Sequence, residues 1–161
     1  MSLEVRPFQP VDAPAATDLL NAIIRTGGTT ALQTPLSVEE NTAYFLEGPK
    51  VLCCHVAVLD GQLVGFQSLG RLPELPEGWG DIATFAAEGL TGRGIGSALL
   101  AATRAKALAL GLHHINARIR ADNTGGLTYY SRMGFVDYHM DRAVPLADGT
   151  PVDRVFKQLV L

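Results

Sequence analysis

Charge, cysteine and long apolar runs are all scarce in this chain, and each scarcity removes a class of function. Of 161 residues only 13 are Lys or Arg and 16 are Asp or Glu, for a net charge of -3. That balance provides no polybasic face for nucleic acid or an anionic membrane. Apolar residues make up 47% of the chain, yet no run approaches the roughly 20 residues of a membrane-spanning helix. Met-Ser-Leu-Glu at the start lacks the charged and apolar regions of a signal peptide. The expectation is a soluble, cytoplasmic protein with small ligands, folded as a single domain over 1–161 that buries a core without disulfides or metals. The two cysteines, Cys53 and Cys54, are adjacent. In a strand they point to opposite faces, which suits neither a disulfide framework nor a metal site. His55 likewise projects away from Cys54, so packed free thiols are expected in place of an activated nucleophile. His113, His114 and His139 lack the spacing of a ligand set, and no metal is expected.

Glycine is plentiful where the chain is most informative. Asp81 to Leu100 reads as a strand, a turn carrying Gly92, Gly94 and Gly96, and the opening of an Ala/Leu-rich helix. Such a turn allows positive φ and lets backbone approach a ligand closely. The first amides of the helix lack intrahelical partners and lie at the positive end of its dipole, so a phosphate or pyrophosphate is the expected guest, with Arg93 adding a full charge. Two familiar phosphate loops are excluded. A dinucleotide fingerprint needs glycine at 97, which is Ser, and an acid about twenty residues on, where His113 and His114 stand. A P-loop needs Lys-Ser/Thr after Gly96, which is followed by Ser97-Ala98.

The remaining elements follow from local signals. Leu3 to Phe8 reads as a strand, and Asp12 with Pro14 behind it reads as the N-cap of a helix running to Ile24 and ended by Gly27-Gly28. Thr29 to Pro35 is a loop, and Ser37-Val-Glu-Glu40 is a capping box for a second helix towards Phe45. Val51 to Leu59 and Leu63 to Leu69 form a hairpin about Asp60-Gly61. Leu72 to Gly80 is a loop with Trp79 in it, delivering the chain into a strand that begins at Asp81. Ile95 to Leu110 is a helix with Ile95, Leu99 and Ala102 on its apolar face and Gly111 at its end. His114 to Arg120 alternates strictly, with Asn116, Arg118 and Arg120 on a wet or ligand-facing side. Asn123 opens a short helix through Tyr129-Tyr130 that Gly134-Phe135 closes, and two strands follow around Asp148-Gly149. The order β-α-α-β-β-β-α-β-α-β-β predicts an α+β fold in three α/β/α layers, a mixed and mostly antiparallel twisted sheet with helices on both faces.

Thr91-Gly92-Arg93-Gly94-Ile95-Gly96 resembles the acyl-CoA loop of the GNAT superfamily of N-acetyltransferases, Gln/Arg-x-x-Gly-x-Gly/Ala, with Thr91 standing where Gln or Arg is usual. Downstream, Asn123, Tyr130 and Gly134-Phe135 resemble that superfamily's second motif, an Asn followed seven residues later by Tyr and then by Gly-Phe. Val51 onward and Asp-Asn-Thr-Gly-Gly are most similar to the phosphinothricin acetyltransferase-like group. The resemblance covers nearly the whole chain and implies acetyl transfer from acetyl-CoA to a primary amine, with no metal. It implies Phe85, Ala86, Thr91, Gly92, Arg93, Gly94, Ile95, Gly96 and Asn123 as the cofactor-binding set. By itself Asn123 reads as a helix cap and Tyr130 as aromatic packing. The resemblance adds a pantetheine or phosphate contact to the first and makes the second the donor to the departing thiolate. Asp81 reads as a solvated strand-start residue, while the resemblance places a catalytic Glu at the matching position and so makes Asp81 the candidate base. Arg71 reads equally as a surface cation and as a grip on an acceptor carboxylate. Glu88 reads as structural. The expected partner is a small, amino-acid-like amine, with no nucleic acid and no membrane, and a homodimer as one assembly open to the chain. A peptide or protein N-acetyltransferase and a non-catalytic acyl-CoA-binding module are the alternatives.

Overall fold

A computed structural model gives the architecture and describes residues 2–90 and 93–161. In chain order the elements are β1 (Leu3–Pro7), a 3-10 turn (Pro10–Asp12), α1 (Ala13–Thr26), α2 (Val38–Asn41) continuing into a single π turn (Thr42–Leu46), β2 (Val51–Leu59), β3 (Gln62–Gly70), β4 (Trp79–Ala86), α3 (Ile95–Ala109), β5 (His114–Arg120), α4 (Thr124–Arg132), β6 (Val136–Pro145) and β7 (Pro151–Val160). One seven-stranded sheet runs in the order β1-β2-β3-β4-β5-β7-β6. All neighbours are antiparallel except β4 and β5, which α3 connects as a crossover. The mixed, mostly antiparallel sheet with helices on both faces is as expected.

Alternation along the strands sorts side chains to two layers. On the α1 face, Ala16, Leu20 and Ile24 pack on Val56, Phe66 and Phe85. On the α3/α4 face, Leu100 and Ala107 meet Ile82, Ile115, Ala117, Tyr130 and Phe135. The buried stripe of α3 is Ile95, Leu99, Thr103 and Ala107, a strict i, i+4 progression, with Leu100 beside it. Ala102 is only half-buried, so the stripe lies one residue round from its expected place.

The pairing of β4 with β5 is short and decides everything nearby. Trp79 aligns with His114, Gly80 with Ile115 and Asp81 with Asn116, and there the parallel ladder ends. β4 continues to Ala86 against β3, and β5 continues to Arg120 against β7, so the two strands part in a V whose apex is the Asp81–Asn116 pair. The strand begins at Trp79, two residues before the expected start, because the Trp79 ring stacks on His114 with centroids 4.4 Å apart and carries the chain into register.

Asp12 stands at the N-cap of α1 as expected, with Pro14 in the first turn, but not as a side-chain cap. Its side chain makes no cap bond to that helix. Instead Asp12 accepts from the Gln9 amide at 2.8 Å and from both terminal nitrogens of Arg6 at 2.7 and 2.8 Å. A bidentate guanidinium partner on β1 outcompetes a single orphan helix amide. Those bonds hold the Asp12 carboxyl below the ordinary carboxylate range, the Arg6 hydrogen bond being the largest cause. A group depressed on folding stabilises the fold above its unfolded pKa and loses that contribution as pH falls through its folded value. Asp12→Asn is therefore expected to cost about 2 kcal/mol at neutral pH, with the deficit in thermal midpoint shrinking below about pH 4. Melting both proteins across pH checks this, and a deficit independent of pH would show that the charge is not the cause.

Candidate active site

The α3 end of the V opens into a groove of about 740 Å³. Thr84 to Leu90 of and after β4, Arg93 to Ser97 at the head of α3, and Asn123 to Gly126 with Tyr129, Tyr130 and Met133 of α4 line it. Thr91 and Gly92 lie outside the described residues. Phe85, Ala86, Arg93, Gly94, Ile95, Gly96, Asn123 and Tyr130, which the sequence nominates, are thus brought together, and Glu88 joins them at the rim. Asp81 and Arg71 are not among the lining residues. Asp81 sits at the apex, on the face opposite Ile82 and Thr84, and Arg71 is exposed, directly after Gly70, the register partner of Asp81.

The head of α3 has the geometry that suits an anion. Gly94 is its N-cap with φ +74°, and as a glycine it offers no side chain to cap the helix. The amides of Ile95, Gly96 and Ser97 are therefore left for a guest at the positive end of the helix. A Cβ built on Gly94 would meet nothing within 4 Å, so the space beside it is open. Gly96 is confined for a different reason. A Cβ there would lie 2.5 Å from the Tyr129 ring, whose hydroxyl donates to the Gly96 carbonyl at 2.8 Å.

Tyr129 belongs to a network that sequence reasoning missed. Gln67, fully buried on β3, donates to Tyr129 Oη at 3.1 Å and to Thr84 Oγ1 at 2.9 Å, and Thr84 Oγ1 lies 2.8 Å from Tyr130 Oη. Because Thr84 already accepts from Gln67, its own proton can go to the Tyr130 oxygen, which leaves the phenolic proton for the groove. Burial, opposed by the Thr84 bond, raises the Tyr130 pKa well above the ordinary phenol value, so the group stays protonated. The signal for Gln67 was present, since it is a long polar side chain inside the run Val64-Gly-Phe-Gln-Ser-Leu69.

The strand edges point to the remaining donors. The Ala87 amide donates to the Val64 carbonyl at 2.8 Å. The alternation of an antiparallel ladder then turns the Phe85 amide towards β3 and the Thr84 and Ala86 amides towards the gap that β5 has left. Of Phe85 and Ala86, both in the expected cofactor-binding set, only Ala86 turns its amide to the gap, together with Thr84. Asn123 caps α4, accepting from the Gly126 amide at 3.0 Å, and its Nδ2 donates to the Thr29 carbonyl at 3.1 Å. Arg120 donates to the Thr30 carbonyl at 3.0 Å and Gln33 accepts from the Asp148 amide at 2.9 Å, so the α1–α2 loop is pinned across the groove.

On the other face of the apex, Asp81 has a side-chain exposure of 19%. Asn116 Nδ2 donates to its Oδ1 at 2.8 Å and Arg118 Nη2 to its Oδ2 at 3.2 Å, while Tyr138 Oη donates to Asn116 Oδ1. Burial raises the Asp81 pKa from the ordinary carboxyl value, the Arg118 charge and the Asn116 bond opposing it. Neither Asn116 nor Arg118 was singled out in the sequence, although both lie on the side of β5 read as ligand-facing.

A match of residues 17–135 to the model of the acetyltransferase (GNAT) family decides what this groove belongs to. The chain is a member of that family. It is 28% identical to the L-methionine sulfoximine/L-methionine sulfone acetyltransferase of Pseudomonas aeruginosa, over all of this chain and 96% of that one. Its fold matches the ribosomal-protein-alanine N-acetyltransferase of Brucella melitensis at a TM-score of 0.83 with 24% identity, covering 98% and 99% of the two chains. It also matches a phosphinothricin acetyltransferase of Sinorhizobium meliloti, solved in complex with AcCoA, at 0.85 with 20% identity, covering 100% and 89%.

Among the described residues, no group of three or more His, Cys, Asp or Glu is arranged to hold a metal. The thiols supply no nucleophile either. Burial pushes Cys53 up to about 11 and Cys54 higher still. Cys54 packs on the α1 face and Cys53 on the other, as the strand geometry requires. At pH 8 both are expected to react with a thiol reagent at least about 100-fold more slowly than free cysteine, whose pKa is about 8.5, until denaturant is added. Absorbance at the released chromophore checks this, and labelling of the folded protein at the free-cysteine rate would overturn it.

Proposed function

We propose that the protein transfers an acetyl group from acetyl-CoA to the primary amine of a small, amino-acid-like acceptor by direct attack. The observation that carries this reading is the convergence of three things on one groove: the uncapped head of α3, the parted edge of β4, and Tyr130. The α3 amides with Arg93 suit a pyrophosphate, and the slot between β4 and β5 suits an extended arm that ends at the apex. The acceptor class is supported by the similarity, along the whole chain, to a methionine sulfoximine/sulfone acetyltransferase.

When bound, acetyl-CoA supplies an activated thioester, and the chain's residues do the rest. An alkyl ammonium has a pKa near ~10, so a proton must leave before nitrogen can attack. Asp81 accepts it. The C–N bond forms as the C–S bond breaks, and the negative charge gathering on the carbonyl oxygen meets the Ala86 or Thr84 amide. Tyr130, kept neutral by burial, protonates the departing sulfur. Of the two protons the ammonium loses, one leaves through Asp81 and the other balances the one delivered to sulfur.

Calorimetry with acetyl-CoA and a thiol-release assay over amino acids, polyamines and peptides test the reading. Binding followed by turnover of an amino-acid-like amine is expected, and binding without turnover of any amine would leave only a carrier role. In Gly94→Val the new Cβ meets nothing within 4 Å among the described residues, so the expected cost to the fold is the strain of a branched residue at φ +74°, about 1–3 kcal/mol. The branch takes the space assigned to pyrophosphate, so acetyl-CoA affinity is expected to vanish; unchanged affinity with an unchanged thermal midpoint would sink the site. Tyr130→Phe should lower kcat by roughly 10²- to 10⁴-fold, the range of a positioned acid, with acetyl-CoA affinity retained. An equal loss of affinity and rate would make Tyr130 a packing residue.

A further inference from the structure

Asp81 is met at the apex by a cation that is only loosely engaged. Arg118 touches it through one nitrogen at 3.2 Å, and among the described residues that is the only bond Arg118 makes. Its side chain is 36% exposed. The next arginine on the same face of β5 is held quite differently: Arg120 has two bonds to Asp122 and one to the Thr30 carbonyl, and its side chain is 11% exposed. Arg120 is fixed in the scaffold, whereas Arg118 keeps most of its five donors unused, and its swing would leave only Asp81 Oδ2 in need of a new partner.

A carboxylate and a guanidinium side by side at the end of a slot form a charge pattern, and its complement is a molecule with an ammonium and a carboxylate one carbon apart. Resting on the acetyl-transfer reading above, we propose that the Asp81–Arg118 pair recognises zwitterionic α-amino acids, Arg118 leaving Asp81 for the acceptor carboxylate while Asp81 takes the ammonium. One internal ion pair is exchanged for two with the substrate, so no charge is left unpaired at a partly buried site. The exchange also prepares the base. Arg118 favours the ionised carboxylate, so its departure makes Asp81 a stronger proton acceptor at the moment the ammonium arrives. Asp81 then takes one proton from nitrogen, whose freed lone pair forms the C–N bond. The other groups around Asp81 do not substitute for Arg118. Asn116 is neutral, Tyr138 and Tyr130 are phenols, and Glu74 carries the same sign as Asp81 and raises its pKa. An amine without a carboxylate meets an Asp81 still paired with Arg118.

The test compares L-methionine sulfone with 3-(methylsulfonyl)propan-1-amine, the same molecule lacking its carboxylate, by CoA release in the parent protein, Arg118→Gln, Arg118→Lys and Arg71→Gln. The parent is expected to prefer the amino acid by about 100-fold in kcat/KM, as for a charge-assisted contact. In Arg118→Gln the preference should fall below about tenfold through a raised amino-acid KM, and the acid limb of the amine's pH profile should move to higher pH. Arg118→Lys should lie between, a point charge replacing a fork. Acetyl-CoA affinity by calorimetry, unchanged in all variants, confirms that they are folded. Full preference in Arg118→Gln, or its loss only in Arg71→Gln, would overturn the proposal while leaving acetyl transfer intact. No CoA release from either acceptor in the parent would overturn the acetyl-transfer reading itself, and this proposal with it.

Discussion

Beyond Asp81 and Asn116, β4 and β5 share no further ladder pairs, and every backbone group along the parted edges must find another partner or a ligand. A sheet does not open in this way without support. β4 is held on its other edge by six register pairs with β3, and β5 by seven with β7, so each half keeps one complete ladder. The apex is clamped from one face by the Trp79–His114 stack and from the other by the packing of Ile82 on Leu100, Ala107 and Ile115. The gap-facing amides of β4 and the first amides of α3 then face one groove. The donor-rich lining of the site is a direct consequence of strands that separate.

Separation also sorts the chemistry between two faces. Thr84, Gln67 and the tyrosines of α4 lie on the α3/α4 side, while Asp81, Asn116, Arg118 and Tyr138 lie on the other. In a closed sheet these groups would be insulated from one another by a continuous layer of backbone. At the V only one strand thickness and a gap lie between them. The proton acceptor proposed on one side, Asp81, and the donor proposed on the other, Tyr130, could therefore address the two ends of a single transferring group.

Much of this was legible in the sequence, and the physical reason is locality. Gly94 at the head of α3, the Asp60-Gly61 hairpin and the Asn123–Tyr130–Gly134 spacing are set by φ preferences and helix periodicity within a few residues, and these are found where they were read. What was not legible depends on register between distant segments. Asp81 meets Arg118 across 37 residues, and Gln67 meets Tyr129 across 62. Nothing in either neighbourhood states the partner. The Phe85 amide was nominated because it lies in the right segment, but which of two adjacent amides faces the gap is fixed by the Val64–Ala87 bond in another part of the ladder. Asp12 misled for a related reason: a cap signal is local, and the Arg6 that overrides it lies on a different element.

The buried amide of Gln67 shows how the two helices of the groove are kept in step. Both of its N–H groups are used, one on Tyr129 and one on Thr84, while among the described residues its Oε1 has no partner. An unsatisfied buried carbonyl oxygen costs about 1–3 kcal/mol, and an apolar side chain of similar shape would avoid that cost. It would also leave Tyr129 Oη and Thr84 Oγ1 without their donor. Through Tyr129 the amide is connected to the Gly96 carbonyl, in the first turn of α3 where the anion is expected, and through Thr84 to the Tyr130 hydroxyl. One side chain on a central strand thus ties the head of α3 to the Tyr130 hydroxyl, the two groups proposed to hold the anion and to donate the proton. Neither can shift without breaking a bond inside the core, so the position of the donor is set by the same contacts that hold the groove open.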